Sequence, residues 1–169
     1  MKTIIISLGM ACALTLAAHG QDATKATCKL DPKSGSQVTG TVTFTKTSDD
    51  VQVIADISGL KPGKHGFHLH EKGDCSAPDA ASAGAHFNPS NQHHGGPMTA
   101  EHHTGDLGNI EADASGKAHL DWKGKMSLSG ADSIIGKSVV VHEKEDDLKT
   151  DPSGNSGARI ACGVIEAAK

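Results

Sequence analysis

Between residues 38 and 58 apolar side chains recur at every second position. The stretch "VTGTVTFT" sets Val38, Gly40, Val42 and Phe44 on one face and threonines on the other, and "VQVIADI" repeats the pattern through Val51, Val53, Ala55 and Ile57. A period of two is that of half-buried β-strands. "KAHLDWKG", "SVVVHE" and "ARIACGVI" predict further short strands, and turn-forming stretches such as "KSGS", "KPGK", "DASG" and "SGNSG" separate them. Beyond residue 20 no stretch shows a sustained helical period with caps. Many short strands predict an all-β domain, a sandwich or barrel of the Greek-key kind. Two segments break the pattern. Residues 71–110 are rich in Gly, Pro, Ala and His and poor in β-branched residues, and residues 143–158 are polar and loop-like. Loops of this length in a compact domain are usually functional.

The first twenty residues read differently. Lys2, the apolar run "IIISLGMACALTLAA" and small residues at Ala18 and Gly20 describe a secretory signal peptide, and the run is short for a membrane span. Cys12 raises a lipid-anchor reading, but Gly9 stands three residues before it, where a lipobox normally has Leu, so no membrane anchor is expected. Residues 1–20 are therefore the expected leader and 21–169 the expected domain, long enough for one core. The leader carries Lys2 and no acid, so the remainder is one unit more negative than the formal −4 of the whole chain. That balance, without any basic run, argues against nucleic acid or an anionic membrane surface as partner. Aromatic residues make up only 2% of the chain, so Val, Ile, Leu and Ala must build the core. Beyond the leader stand Cys28, Cys75 and Cys162. Export implies an oxidising compartment in which two of them bridge, and the residues by themselves do not choose the pair.

The chemistry lies in the histidines, 11 in all. "HGFHLHEKGDC" places His68 and His70 one residue apart. On a strand they point the same way, about 6.6 Å apart along it, while Phe67 and Leu69 face the opposite side. Two imidazoles at that spacing can converge on one metal ion. "AGAHFNP" adds His86, "HHGGP" adds His93 and His94, "EHHTGD" adds His102, His103 and Asp106, and "VVVHEKEDD" adds His142 and Asp146. Imidazoles with a carboxylate suit zinc, and imidazoles alone suit copper or zinc. These are too many ligands for one tetrahedral ion, so two ions are expected. No Ser-His-Asp context and no phosphate-cradling glycine loop stands out.

"ATKATCKL", "GLKPGKHGFHLHEKGD", "AGAHFNP", "HHGGP", "HHTGDLGNI", "LSGADSIIGKSVVVHEKEDDL" and "GNSGARIACGVI" follow one another along nearly all of the chain beyond the leader. Together they resemble copper/zinc superoxide dismutase, exported, of the bacterial periplasmic type. The resemblance implies an eight-stranded Greek-key β-barrel, immunoglobulin-like in its sandwich character, with two long functional loops. It implies dismutation of superoxide to dioxygen and hydrogen peroxide by alternating copper redox, with copper and zinc as cofactors. By the same resemblance His68, His70, His86 and His142 are copper ligands. His86 bridges to zinc, which is completed by His94, His103 and Asp106. Asp146 is the carboxylate linking a copper-ligand to a zinc-ligand histidine. Arg159, the only arginine of the chain, is the guanidinium that orients the anion. Cys75 and Cys162 match the family disulfide, worth roughly 4 kcal/mol in the chain-entropy model, which leaves Cys28 as a buried thiol. His93 and His102 fall one position off the ligand motifs and His65 and His119 match none.

The alternatives are an exported copper/zinc-binding or delivery domain without catalysis, and a zinc hydrolase, which would want an open zinc position. The loop between His142 and Arg159 is shorter than in animal cytosolic members, so either Lys144 or Lys149 takes the steering role. The segment from Cys75 to His86 is longer. Lys72 and Glu166 stand where animal dimers place apolar residues, so the expected assembly is a homodimer or a monomer, settled by sedimentation.

Overall fold

The computed structural model describes residues 23–168. The expected leader, with Cys12, lies outside the described residues. Eight antiparallel strands close into a barrel. They are β1 (Lys25–Pro32), β2 (Thr39–Lys46), β3 (Val51–Ser58), β4 (Gly63–His70), β5 (Asp106–Ala112), β6 (Lys117–Gly124), β7 (Ser138–His142) and β8 (Arg159–Ala167). Their order around the barrel is β1-β2-β3-β6-β5-β4-β7-β8, so the chain crosses between β3 and β4 and again between β6 and β7, as Greek-key connections do. Among the described residues no helix is long and apolar enough to cross a membrane.

The period of two dictates the interior. Val42 and Phe44 from β2, Val53 and Ala55 from β3, Phe67 and Leu69 from β4 and Val139 and Val141 from β7 are fully buried in one apolar core. Burying each large apolar side chain contributes about 1.5–3 kcal/mol. In β1 the alternation is carried by Ala26, Cys28 and Leu30, all buried. Burial pushes the Cys28 thiol up to about 12, so it stays protonated and packs as a small apolar group.

The expected loop over 71–110 ends earlier than its composition predicts. Asp106 already begins β5, whose residues "DLGNIEA" have little strand propensity of their own. Pairing with β4 imposes the strand, from His68↔Asp106 to Gly63↔Ala112. A 3-10 turn at Ala81–Ala83 interrupts the remaining loop. The segment 143–158 forms turns and no strand, as its polarity predicts. Cys75 and Cys162 are bridged, with Cα atoms 5.8 Å apart, and they pack with Ala80, Ala83 and Val140 in a small second core that fastens the first loop to β8.

Candidate metal centre

Two register shifts position the chemistry. One lies between Gly66 and His68 on β4 and sets His68 opposite Asp106. The other lies between Val141 and His142 on β7 and sets His142 opposite Arg159. Bulges of this kind re-aim side chains next to functional sites. The alternation places Phe67 and Leu69 in the core and His68 and His70 on the outer face. That face is covered by the two long loops, so both histidines are buried as well. An isolated bridge between His70 and His86 lays the first loop across the strand.

The side chains gather in two sets, His68, His70, His86 and His142, and His86, His94, His103 and Asp106. Within each set the ligand atoms lie within 4.8 Å of one another, and every residue is buried. His86 belongs to both. In the first set each ring commits one nitrogen to a structural partner. His70 Nδ1 donates to the Gly84 carbonyl at 2.9 Å, His142 Nδ1 to the Gly157 carbonyl at 3.2 Å, and His68 Nε2 to Asp146 Oδ2 at 2.8 Å. A carbonyl can only accept, so each of those nitrogens carries the proton and the other keeps a lone pair. Those other nitrogens, His68 Nδ1, His70 Nε2 and His142 Nε2, are buried without any hydrogen-bond partner, as is His86 Nε2. Orphaned lone pairs at this depth are rare and call for an explanation. A cation among them supplies it.

The second set is arranged around one oxygen. Asp106 Oδ2 accepts from the backbone N–H groups of His103 and Gly95 at 2.8 and 3.0 Å. Its Oδ1 faces His86 Nδ1 at 2.8 Å and His103 Nδ1 at 3.1 Å, and His94 Nδ1 approaches to 3.0 Å without hydrogen-bond alignment. His86 and His103 Nδ1 stand 3.4 Å apart, close to the ~3.3 Å edge of a tetrahedron with 2.0 Å bonds. Three imidazoles and a carboxylate fit a closed zinc site, and four imidazoles fit copper or zinc.

Asp146 joins the two sets. Its Oδ2 accepts from His68 and its Oδ1 from His94 Nε2 at 2.9 Å. Two residues that the sequence did not reveal hold it there. Asn109 on β5 donates from Nδ2 to the Asp146 carbonyl at 2.9 Å and accepts from its N–H at 2.8 Å. Gly154, at φ 61°, leaves room, since a Cβ there would sit 1.7 Å from Asp146 Oδ1. Only the pairing of β5 shows that Asn109 lies under the second loop, and no local motif marks it.

Burial, opposed by the Asp106 hydrogen bond, lowers His86 to about 4. Burial and the neighbouring imidazoles hold His70 and His142 well below the usual value, and burial lowers His68 despite its bond to Asp146. His94 behaves oppositely. Burial works against its charged form, but Asp106 and Asp146 on its two nitrogens outweigh that and raise it to about 10. Burial also opposes charge on Asp106 and Asp146, yet the histidines bonded to each hold both well below the usual carboxylate range.

A cleft of about 640 Å³ opens onto the first set and is lined by His70, His86, His142 and Arg159. Arg159 Nη1 donates to the Ala80 carbonyl at 2.8 Å. The Lys144 stem passes over Gly157 on the rim, where a Cβ would come within 3.1 Å of it. The off-motif histidines stay outside both sets. His93 is exposed and pairs with Asp151 at 2.6 Å, His102 bonds the His103 carbonyl, and His119 pairs with Asp56 on the surface. His65 is buried in β4 between the carbonyls of His142 and Lys61.

Residues 38–165 match the family model for copper/zinc superoxide dismutase. An extracellular superoxide dismutase [Cu-Zn] of Caenorhabditis elegans is 45% identical over 140 residues, covering 79% of this chain and 63% of the relative, so the chain spans less than two thirds of that protein. An extracellular superoxide dismutase [Cu-Zn] of Drosophila melanogaster is 49% identical over 139 residues, covering 77% of this chain and 76% of the relative. The crystal structure of the clock protein EA4 superposes with a TM-score of 0.80 at 40% identity, covering 94% of this chain and all of that one.

Proposed function

The chain belongs to the copper/zinc superoxide dismutase family, and from that premise we propose that it is an exported enzyme that converts two superoxide anions and two protons to dioxygen and hydrogen peroxide. One observation carries the reading. A single buried imidazole, His86, offers its two nitrogens to two different four-ligand sets beside an open cleft that holds Arg159.

His68, His70, His86 and His142 would hold copper, and His86, His94, His103 and Asp106 would hold zinc. Copper supplies one-electron redox chemistry when bound, and zinc supplies a fixed positive charge. The remaining steps belong to the chain. Arg159, anchored through Nη1 to Ala80, keeps its other N–H groups for a small anion entering the cleft. Lys144, whose stem lies beside Gly157 of the cleft lining, is the better placed of Lys144 and Lys149 to add positive charge to the local field that guides an anion. The two loops cover His68 completely, while His86 lines the cleft. His86 Nε2, a lone pair at neutral pH, is positioned to hold and release a proton at the floor of the cleft. Asp146 fixes the ring orientations of His68 and His94 together.

A metal-delivery domain without catalysis would have no use for a guanidinium above the first set, so the enzyme reading is preferred. A bacterial periplasmic type rests on the leader pattern alone. The relatives named extracellular, with the Cys75–Cys162 bridge, favour secretion. The test is superoxide removal by the copper- and zinc-loaded protein. Rapid removal that is abolished by His142→Ala supports the proposal, and identical behaviour of the two proteins contradicts it.

A further inference from the structure

The rim of the cleft carries an acid that attraction of an anion does not call for. Histidines aside, the charged residues lining it are Arg159 and Asp79. Asp79 is exposed, and its Oδ1 accepts from the Ala81 N–H at 3.0 Å, an Asx turn that fixes the carboxylate. The residue between, Ala80, is buried at φ 56° and supplies the carbonyl that anchors Arg159. One turn therefore holds the guanidinium from behind and sets a negative charge on the same rim. Among the described residues the two make no direct ion pair, so Arg159 keeps N–H groups for a ligand. Burial lowers the Arg159 pKa, and the Asp79 charge acts against that. The Lys144 stem lies beside Gly157, which also lines the cleft.

We propose that Asp79 is an anion-selectivity residue, whose fixed charge keeps multiply charged anions such as inorganic phosphate from Arg159 while a small monoanion still enters. The energy of an ion scales with its charge in a given potential. If removing the Asp79 charge raises the local concentration of a monoanion by some factor, it raises that of a dianion by the square of the factor. An acid at the mouth therefore discriminates against phosphate more than it slows superoxide. The identity of the monoanion rests on the function proposed above.

The test is Asp79→Asn, which keeps the acceptor for the Ala81 N–H. In the copper- and zinc-loaded protein at pH 8 and low ionic strength, the rate of superoxide removal is expected to rise about twofold. The phosphate dissociation constant from isothermal titration is expected to fall about fourfold, by the square relation. Both differences should vanish at about 1 M salt, where the screening length is about 3 Å. Asp121→Asn on β6, away from the cleft, should change neither. An unchanged phosphate affinity, a fall no larger than the gain in rate, or an effect that persists in high salt overturns the proposal. Should the wild-type protein remove no superoxide, the functional reading fails, and the phosphate titrations still decide on Asp79: tighter, salt-sensitive binding supports it and unchanged binding overturns it.

Discussion

The two ligand sets share His86 but are built from different material. His68, His70 and His142 stand on β4 and β7, strands whose alternate residues Phe67, Leu69, Val139 and Val141 are locked in the core. His94 and His103 stand on a loop, and Asp106 only just enters β5. Their protons differ too. The strand-held rings present neutral lone pairs, because burial disfavours their charge. The loop-held His94 keeps a proton between two carboxylates. Unpartnered nitrogens occur in both settings, since His86 Nε2 and His94 Nδ1 on the loop lack hydrogen bonds as the strand-held rings do, and what differs is the charge around them. A loop must be tied by its own charges until an ion replaces the proton, so metal uptake at the loop-held set should strengthen as pH rises toward 10.

The largest effect should come from the shared ring. His86→Ala is expected to empty both sites and lower superoxide removal by more than about 100-fold, beyond the 10–100-fold of losing a ligand's supporting partner. Metal analysis showing one site filled normally would separate the two sets and break the account.

Acid and alkali should then act on different sets in the metal-free protein. A ring held neutral by burial protonates more readily in the unfolded chain. Stability from His86 is complete above about 6.5 and declines as pH falls to about 4, a loss of roughly 3 kcal/mol. His94 has a raised pKa, so its contribution is present below about 6.5 and declines as pH climbs through about 10. Denaturant midpoints should trace a dome. A flat profile between pH 4 and 6.5 would show that the shared ring, His86, is not buried neutral.

Asp146→Ala should weaken metal binding at both sets about 10–100-fold, since it orients a ring in each. A loss confined to zinc would show that the His68 bond is incidental. Asn109→Ala acts one step further out, through the backbone of Asp146, and should destabilise the second loop by about 1–2 kcal/mol for two lost hydrogen bonds. Hydrogen exchange at residues 143–158 would register it, and unchanged protection there would remove Asn109 from the site. At the small end, His93→Ala at an exposed position and His102→Ala at a half-buried one outside both sets should leave metal content within about a measurement error of the parent. A missing ion in either variant would redraw the loop-held set.

The same division governs what could be read from the chain. Strands β2 and β3 and the convergence of His68 and His70 follow from a period of two, because core packing writes itself into alternation. β5 leaves no such trace, since β4 imposes its pairing, and composition alone extends the loop over 71–110 too far for that reason. The gathering of His86, His94, His103 and Asp106 came from motif resemblance, since a loop has no period from which to compute a direction. Asn109 and Gly154 stayed silent for a further reason. Their parts are a backbone clamp and the absence of a Cβ, and neither requires a metal-binding residue type.

The central claim is that one imidazole serves two ions. Crystals of the copper- and zinc-loaded protein, measured at both absorption edges, test it directly. The account predicts two anomalous peaks about 6 Å apart, the span of an imidazole with a ~2 Å bond at each nitrogen, with His68, His70, His142 and His86 Nε2 around copper and His94, His103, Asp106 and His86 Nδ1 around zinc. Two ions that share no ligand, or a zinc peak at the exposed His93, would contradict it.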